Sequence, residues 1–206
     1  MYTLESYMFE GQVRSAFYTL EQIECLTSAI RGDIYSQFSD RTPMSVAEAA
    51  KAVGKSAQTV HYHVNELLDV NLIMPAGTRK SWARTETVYV RSAINSVIDE
   101  SRRDEAYVDA VIRRFKALAR SLAREREAFH KAWLKNSSAR ELSLVRWEVL
   151  RLSDTGITEA KKLITELRDT VREHQLSEGG HRVRFMTYLS PTVSESKEIV
   201  KRASKK

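Results

Sequence analysis

From Thr19 to Phe38 the apolar side chains recur at Leu20, Ile23, Leu26, Ile30, Ile34 and Phe38. Steps of three and four place them on one side of a helix, with a break expected near Thr27–Ser28. The residues before Thr19 show no clear period, and Gly11 interrupts them. Arg41-Thr42-Pro43 reads as a turn. Ser45 stands three residues before Glu48, the spacing of a capping box: the serine accepts from the third helical N–H and the glutamate reaches back to the serine N–H. A short alanine-rich helix from Val46 to Val53 should follow and stop at Gly54, which suits the left-handed position after a helix. Ser56 is the next N-cap. Val60, Val64, Leu67 and Leu68 share one face of the helix it opens, and Asn71 can take the left-handed position past its end. Helix, short glycine-containing turn, helix is a helix-turn-helix.

Leu72-Ile73-Met74 and Thr87-Val88-Tyr89-Val90 are β-prone runs on either side of the polar stretch Thr78–Arg84, which predicts a hairpin. A hairpin directly after such a helix pair makes a winged helix. From Ile94 to Lys135 the pattern is helical throughout. Val108, Phe115, Leu122 and Phe129 repeat at intervals of seven, with Val111, Leu118 and Ala132 in the partner row and Glu125 breaking it. That is near the minimum for a coiled coil, so this helix either joins a second copy or packs on its own domain. Dimerisation is the preferred reading. Asn136-Ser137-Ser138 ends the helix. Leu142, Leu144, Trp147, Val149 and Leu152 are mostly two apart, as in a strand. Ile157 to His174 is helical, with Leu163, Ile164, Leu167 and Val171 on one face. Val183, Phe185, Thr187 and Leu189 alternate with Arg182, Arg184, Met186 and Tyr188, as in a half-buried strand. The expected fold class is mainly α with a small β component (α+β). A winged helix-turn-helix spans 1–92. A long helix and a β-α-β unit, a dimerisation and candidate effector region, span 93–190. A basic flexible tail spans 191–206.

Composition narrows this picture. Seven glycines and three prolines in 206 residues disfavour a turn-rich all-β fold, and an apolar fraction of 42% supports a real core. The single cysteine, Cys25, excludes a disulfide framework and any multi-cysteine metal site; beside Leu26 on an apolar helix face, it is expected in the core. No early segment looks like a leader, and no uncharged apolar run approaches the roughly 18 residues that span a bilayer. A soluble cytoplasmic protein without membrane contact is expected. The net charge of +6 fits an anionic partner. Yet residues 1–54 carry four basic and seven acidic side chains, so the excess does not surround the helix pair, and its individual residues must decide. Arg102-Arg103, Arg113-Arg114 and Arg120–Arg126 are interleaved with Asp104, Glu105, Asp109, Glu125 and Glu127. They read as a solvated face with i,i+4 pairs rather than a second nucleic-acid surface.

The second helix of the pair carries the candidate chemistry. At about 100° per residue, Tyr62 points nearly opposite the apolar face, with Gln58, Thr59, Asn65, Glu66 and Asp69 around it and His61 and His63 at the borders. A helix reading the major groove needs short, neutral hydrogen-bonding side chains in its first turns. Ser56, Gln58, Thr59, His61 and Tyr62 meet that need as base readers, with Asn65 on the same face. Glu66 and Asp69 come later, where the helix leaves the groove. His63, Arg79, Lys80 and Arg84 should mainly grip phosphate, and Trp82 can pack on sugar or backbone. Other chemistries fare worse. His61 and His63 lie about 200° apart on a helix and cannot share a metal ion. Gly54-Lys55-Ser56 resembles the end of a phosphate loop, but position 49 is alanine where that loop needs glycine, and no strand is expected before it. No enzyme, cofactor or metal site is expected.

"MSVAEAAKAVGKSAQTVHYHVNELLDVNLI" resembles the helix-turn-helix of ArsR-like winged-helix transcription regulators. Glu48, Ala49 and Ala50 match the first part of that pattern. Ser56, Thr59, Val60, His63 and Val64 match the second, and Leu67 with Asn71-Leu72-Ile73 the last, Asn standing for Gly. "GTRKSWARTETVYV" is similar to the wing of one branch through Gly77, Thr78, Arg79, Arg84, Glu86 and Tyr89. The resemblance is good over 19–92 and looser over 93–190. It implies a homodimer on double-stranded DNA, two recognition helices in successive major grooves, and regulation at a promoter, often with an effector. Metal sensing through cysteine pairs, common among such proteins, has no residues here to serve it. A small-molecule effector near Trp133 and Trp147 is a further expectation, and a winged helix serving protein or RNA contacts is the rival.

Overall fold

The computed structural model describes residues 9–81, 84–136, 143–145, 148–175 and 183–197. The chain forms two compact units, Met1–Lys135 and Asn136–Lys206. The first contains, in order, β1 (Val13–Phe17), α1 (Leu20–Cys25), α2 (Ala29–Tyr35), β2 (Met44–Ser45), α3 (Val46–Val53), α4 (Ala57–Asp69), β3 (Ile73–Ser81), β4 (Arg84–Arg91), β5 (Ala93–Val97) and α5 (Glu105–Lys135). The second contains α6 (Asp154–Glu173). The fold is mainly helical with two small sheets, a mixed α+β architecture.

Local signals set the helix ends. The amphipathic run from Thr19 breaks into α1 and α2, as its period predicts. Thr19 and Gln22 form a capping box over α1, and the Gln22 amide also donates to the Val70 carbonyl at 2.9 Å. At α3 both capping-box bonds are present: the Ser45 N–H donates to Glu48 Oε2 at 2.8 Å and the Glu48 N–H to Ser45 Oγ at 3.3 Å. Gly54 (φ 65°) and Asn71 (φ 53°) occupy the left-handed positions expected after α3 and α4.

The core of the first unit forms where the apolar faces of α1 to α4 meet. Leu26, Ile34, Phe38, Val60, Val64 and Leu67 are all essentially inaccessible. Each such side chain removed from water contributes roughly 1.5–3 kcal/mol before entropy is counted. A second cluster joins Ile23 on α1 to Tyr107 and Ala110 on α5. The sheet order is β2-β4-β3, all antiparallel. The hairpin strands run further into the basic stretch than its polarity implies, to Ser81 and Arg84. Ile73↔Arg91 and Met74↔Val90 set the register, an irregularity between Pro75 and Thr78 accommodates Gly77 (φ 120°), and pairing resumes at Thr78↔Thr87. A polar ribbon needs cross-strand hydrogen bonds, not burial, to continue.

Two expectations for this unit are corrected. Residues 93–97 are not the start of the long helix; they form β5, parallel to β1, in the register Val13↔Ala93 to Phe17↔Val97. Backbone pairing with a strand far upstream overrides the local helical period. On α5 the buried residues are Tyr107, Ala110, Ala117 and Ser121, one position off the expected seam. Arg113 pairs with Glu24 at 3.3 Å, Arg114 donates to the Leu26 carbonyl at 3.1 Å, and Arg124 pairs with Asp33 at 2.6 Å. Three arginines of α5 thus reach Glu24, Leu26 and Asp33 across the packing of α5 against α1 and α2. Val108, Ile112 and Phe115 stay exposed on the neighbouring stripe, at 41%, 46% and 48%.

In the second unit α6 forms as expected. Ser153 caps it by accepting from the Gly156 N–H at 3.1 Å. The strands expected on either side of it do not form among the described residues: 143–145, 148–153 and 183–190 have no strand structure. Leu142, Trp147 and Arg182 lie outside those residues. Alternation reports that a segment could bury one face; a strand also needs a neighbour for its N–H and C=O groups, and Val183, Phe185 and Leu189 remain exposed. Residues 193–197, inside the expected tail, are helical.

Candidate nucleic-acid interface

The turn Gly54-Lys55-Ser56 delivers the chain from α3 into α4. Ser56 Oγ accepts from the Thr59 N–H at 3.2 Å and lies 2.8 Å from Thr59 Oγ1. The first turn of α4 is therefore capped by the Ser56 hydroxyl, which also bonds the Thr59 hydroxyl, and the sequence offers both as base readers. Because Val60, Val64 and Leu67 fill the core, the opposite side of the helix is left to solvent. Ser56, Gln58, Thr59, His61, Tyr62 and Asn65 are all exposed, Tyr62 at 58%. Asn65 Nδ2 and His61 Nδ1 lie 3.4 Å apart, so those two side chains share an edge of the face. No carboxylate occupies the first two turns of α4.

Glu66, one turn beyond Tyr62, organises the far edge. It accepts from the Tyr62 hydroxyl at 3.1 Å and forms an ion pair with Arg31 of α2. The hydrogen bond to the Glu66 carboxylate, and then its charge, raise the Tyr62 pKa above the usual phenol value. Arg31 also donates to the Cys25 carbonyl at 3.2 Å. Cys25 is in the core, where burial pushes its thiol up. His63 is half-buried with its Nδ1 enclosed and without a hydrogen-bond partner, and its ring meets Tyr62 edge-on at 5.1 Å. Burial, and then the Arg31 charge, lower the His63 pKa below its ordinary 6.5. A neutral imidazole can still donate to a phosphate, but without a full charge.

On the wing, Arg79, Lys80 and Arg84 are exposed; Trp82 lies outside the described residues. Arg79 forms an ion pair with Glu48 at 2.6 Å, and Glu86 stands directly across the ladder from it. The hydrogen bond that Arg79 donates to Glu48, and then the charge of that carboxylate, raise the Arg79 pKa above its ordinary value. Burial raises the Glu48 carboxyl, but the Ser45 N–H and Arg79 outweigh it, and the net shift is downward. Two links escape the sequence: Arg31 to Glu66, and Arg79 to Glu48. Local spacing carries no signal for either, because each joins separate elements.

Among the described residues no helix is long and apolar enough to cross a membrane. No curated protein matches the chain. Residues 26–75, covering α2, β2, α3, α4 and the first residues of β3, match the helix-turn-helix domain family. The two helices with buried apolar faces, joined by a three-residue turn at a left-handed glycine, are the pair of a helix-turn-helix domain.

Proposed function

We propose that this chain is a sequence-specific DNA-binding transcription regulator of the ArsR-like winged-helix kind, acting as a homodimer. The observation that carries the reading is the outward face of α4. It offers neutral donors and acceptors in its first turns, has no carboxylate there, and lies opposite a helix face buried to completion. Ser56, Gln58, Thr59, His61 and Tyr62, with Asn65, meet base edges in the major groove, where amide, hydroxyl and imidazole groups can distinguish base pairs. Lys80 and Arg84 hold phosphate, neutral His63 donates to it, and Trp82 packs against the backbone. Two such domains read half-sites separated by one helical turn or a multiple of it. The exposed stripe of Val108, Ile112 and Phe115 on α5 supports self-association.

The test is selection from a random duplex library by the purified protein at near-physiological salt. Enrichment of a palindromic motif is the expected result. Bulk binding that is salt-sensitive but shows no enriched motif would defeat sequence-specific reading and turn attention to a protein or RNA partner.

A further inference from the structure

The wing counts three basic residues and no acid between Thr78 and Arg84, yet the fold does not leave all three equivalent. Side chains alternate across a β-ribbon. Arg79, Arg84 and Glu86 therefore share one face, and Lys80 and Thr85 take the other. On its face Arg79 stands between two carboxylates, Glu86 across the ladder and Glu48 at the start of α3, 2.6 Å away. Among the described residues neither Lys80 nor Arg84 has an ion-pair partner.

We infer that Arg79 is a positioning residue that clamps the wing to α3 and neutralises Glu48, and that the phosphate grip of the wing rests on Lys80 and Arg84. This rests on the DNA-binding reading above and assigns the roles within it. Glu48 is held at its place by the cap, because its Oε2 accepts from the Ser45 N–H at 2.8 Å. If Arg79 left for a phosphate, a carboxylate pinned at the start of the helix-turn-helix would face the same polyanion unpaired. An exposed ion pair is weak in itself. What decides the outcome is that breaking it exchanges one Arg–anion contact for another and adds a repulsion. A phosphate contact of that kind releases little net counterion binding, whereas Lys80 or Arg84 on a phosphate contributes fully to the salt dependence.

The experiment measures the affinity of the full chain for a mixed-sequence DNA duplex over a salt series, for wild type, Lys80→Ala, Arg79→Ala, Glu48→Gln and the Glu48→Gln/Arg79→Ala pair. Lys80→Ala should flatten the logarithmic salt slope by about 0.9. Arg79→Ala should flatten the slope by clearly less than Lys80→Ala does while weakening binding about 2–5-fold on any sequence, the scale of one exposed charge pair. Adding Glu48→Gln should restore affinity to within about twofold of wild type, because the repelling charge is gone and glutamine still serves the cap. Without DNA, Arg79→Ala should speed amide exchange in 78–81 and 84–87, reporting the lost clamp. A slope flattened by about one unit in Arg79→Ala, with no rescue in the double variant, would overturn the inference; so would unchanged amide exchange. Wild-type protein with no salt-dependent DNA binding would instead overturn the DNA-binding reading, and this assignment with it.

Discussion

Helices α4 and α6 are written in the same grammar and end in different situations. Each opens on a serine whose hydroxyl accepts from the N–H three residues on. Each carries an apolar stripe at helical spacing: Val60, Val64 and Leu67 on one, Ile157, Leu163, Leu167 and Val171 on the other. The stripe of α4 is sealed against α1, α2 and α3, while α6 has no buried residue, with Leu163 and Leu167 at 54% and 49% exposure. Capping and periodicity determine that a segment is a helix and which side is apolar. Whether that side is covered depends on what the rest of the chain, or another molecule, brings to it. Helix α5 holds both conditions at once: a sealed row through Tyr107, Ala110 and Ala117, and an exposed row through Val108, Ile112 and Phe115.

The sharpest way to break the comparison is to cut the same residue type from both stripes. Leu67→Ala should destabilise the first unit by about 2–5 kcal/mol in urea unfolding, because it opens a cavity in a filled core. Leu167→Ala should change stability by less than about 0.5 kcal/mol, as at any exposed site. A comparable loss from Leu167→Ala would mean that the α6 stripe is covered in solution. The two rows of α5 invite a second test. Phe115→Glu lies outside the sealed row, so the variant should keep its fold while light scattering shows the proposed dimer giving way to monomer. A wild-type monomer, or a dimer indifferent to this change, would remove α5 from any self-association.

The exposed side of α4 can be tested against its own sealed side. Gln58→Ala should leave unfolding nearly unchanged and relax specificity at one base position, by roughly 1–3 kcal/mol. Uniform weakening on every sequence would assign Gln58 to the backbone. The smallest effect concerns pH. The His63 pKa is lower in the fold than its ordinary 6.5, through burial and Arg31, with Glu66 opposing. The unfolded chain therefore takes up the proton first. The corresponding stability is complete above about pH 6.5 and is lost as pH falls through the folded value. Thermal melts between pH 7 and pH 5 should show that decline, and His63→Gln should flatten it. Identical pH profiles for the two proteins would show that the His63 site does not resist protonation.

What could be read from the sequence, and what could not, divides along the same line. The capping box at Ser45 and Glu48, the left-handed Gly54 and Asn71, the break after Leu26 and the exposed face of α4 are short-range facts. Spacings of three and four encode them. The paired strands β1 and β5, the shifted seam on α5 and the absence of strands beside α6 among the described residues all turn on a partner, and alternation or a heptad count does not name one. At the candidate interface the neutral face of α4 was legible, because the buried face fixes its opposite. The effective charge of the wing was not, because Glu48 reaches Arg79 only once α3 and the hairpin have packed.

The pairing of β1 with β5 also sets a clock. Ser15 and Asn95, which face each other across that pair, are 80 residues apart in the chain. At a synthesis rate of about 5–20 residues per second, β1 waits about 4–16 s on the ribosome before its partner has been made. Helices α1 to α4 are complete well inside that interval and can close their core without it. Strand β1 therefore stays unpaired until β5 is made, and Val13 and Phe17, exposed even in the finished fold, lose little by waiting in water.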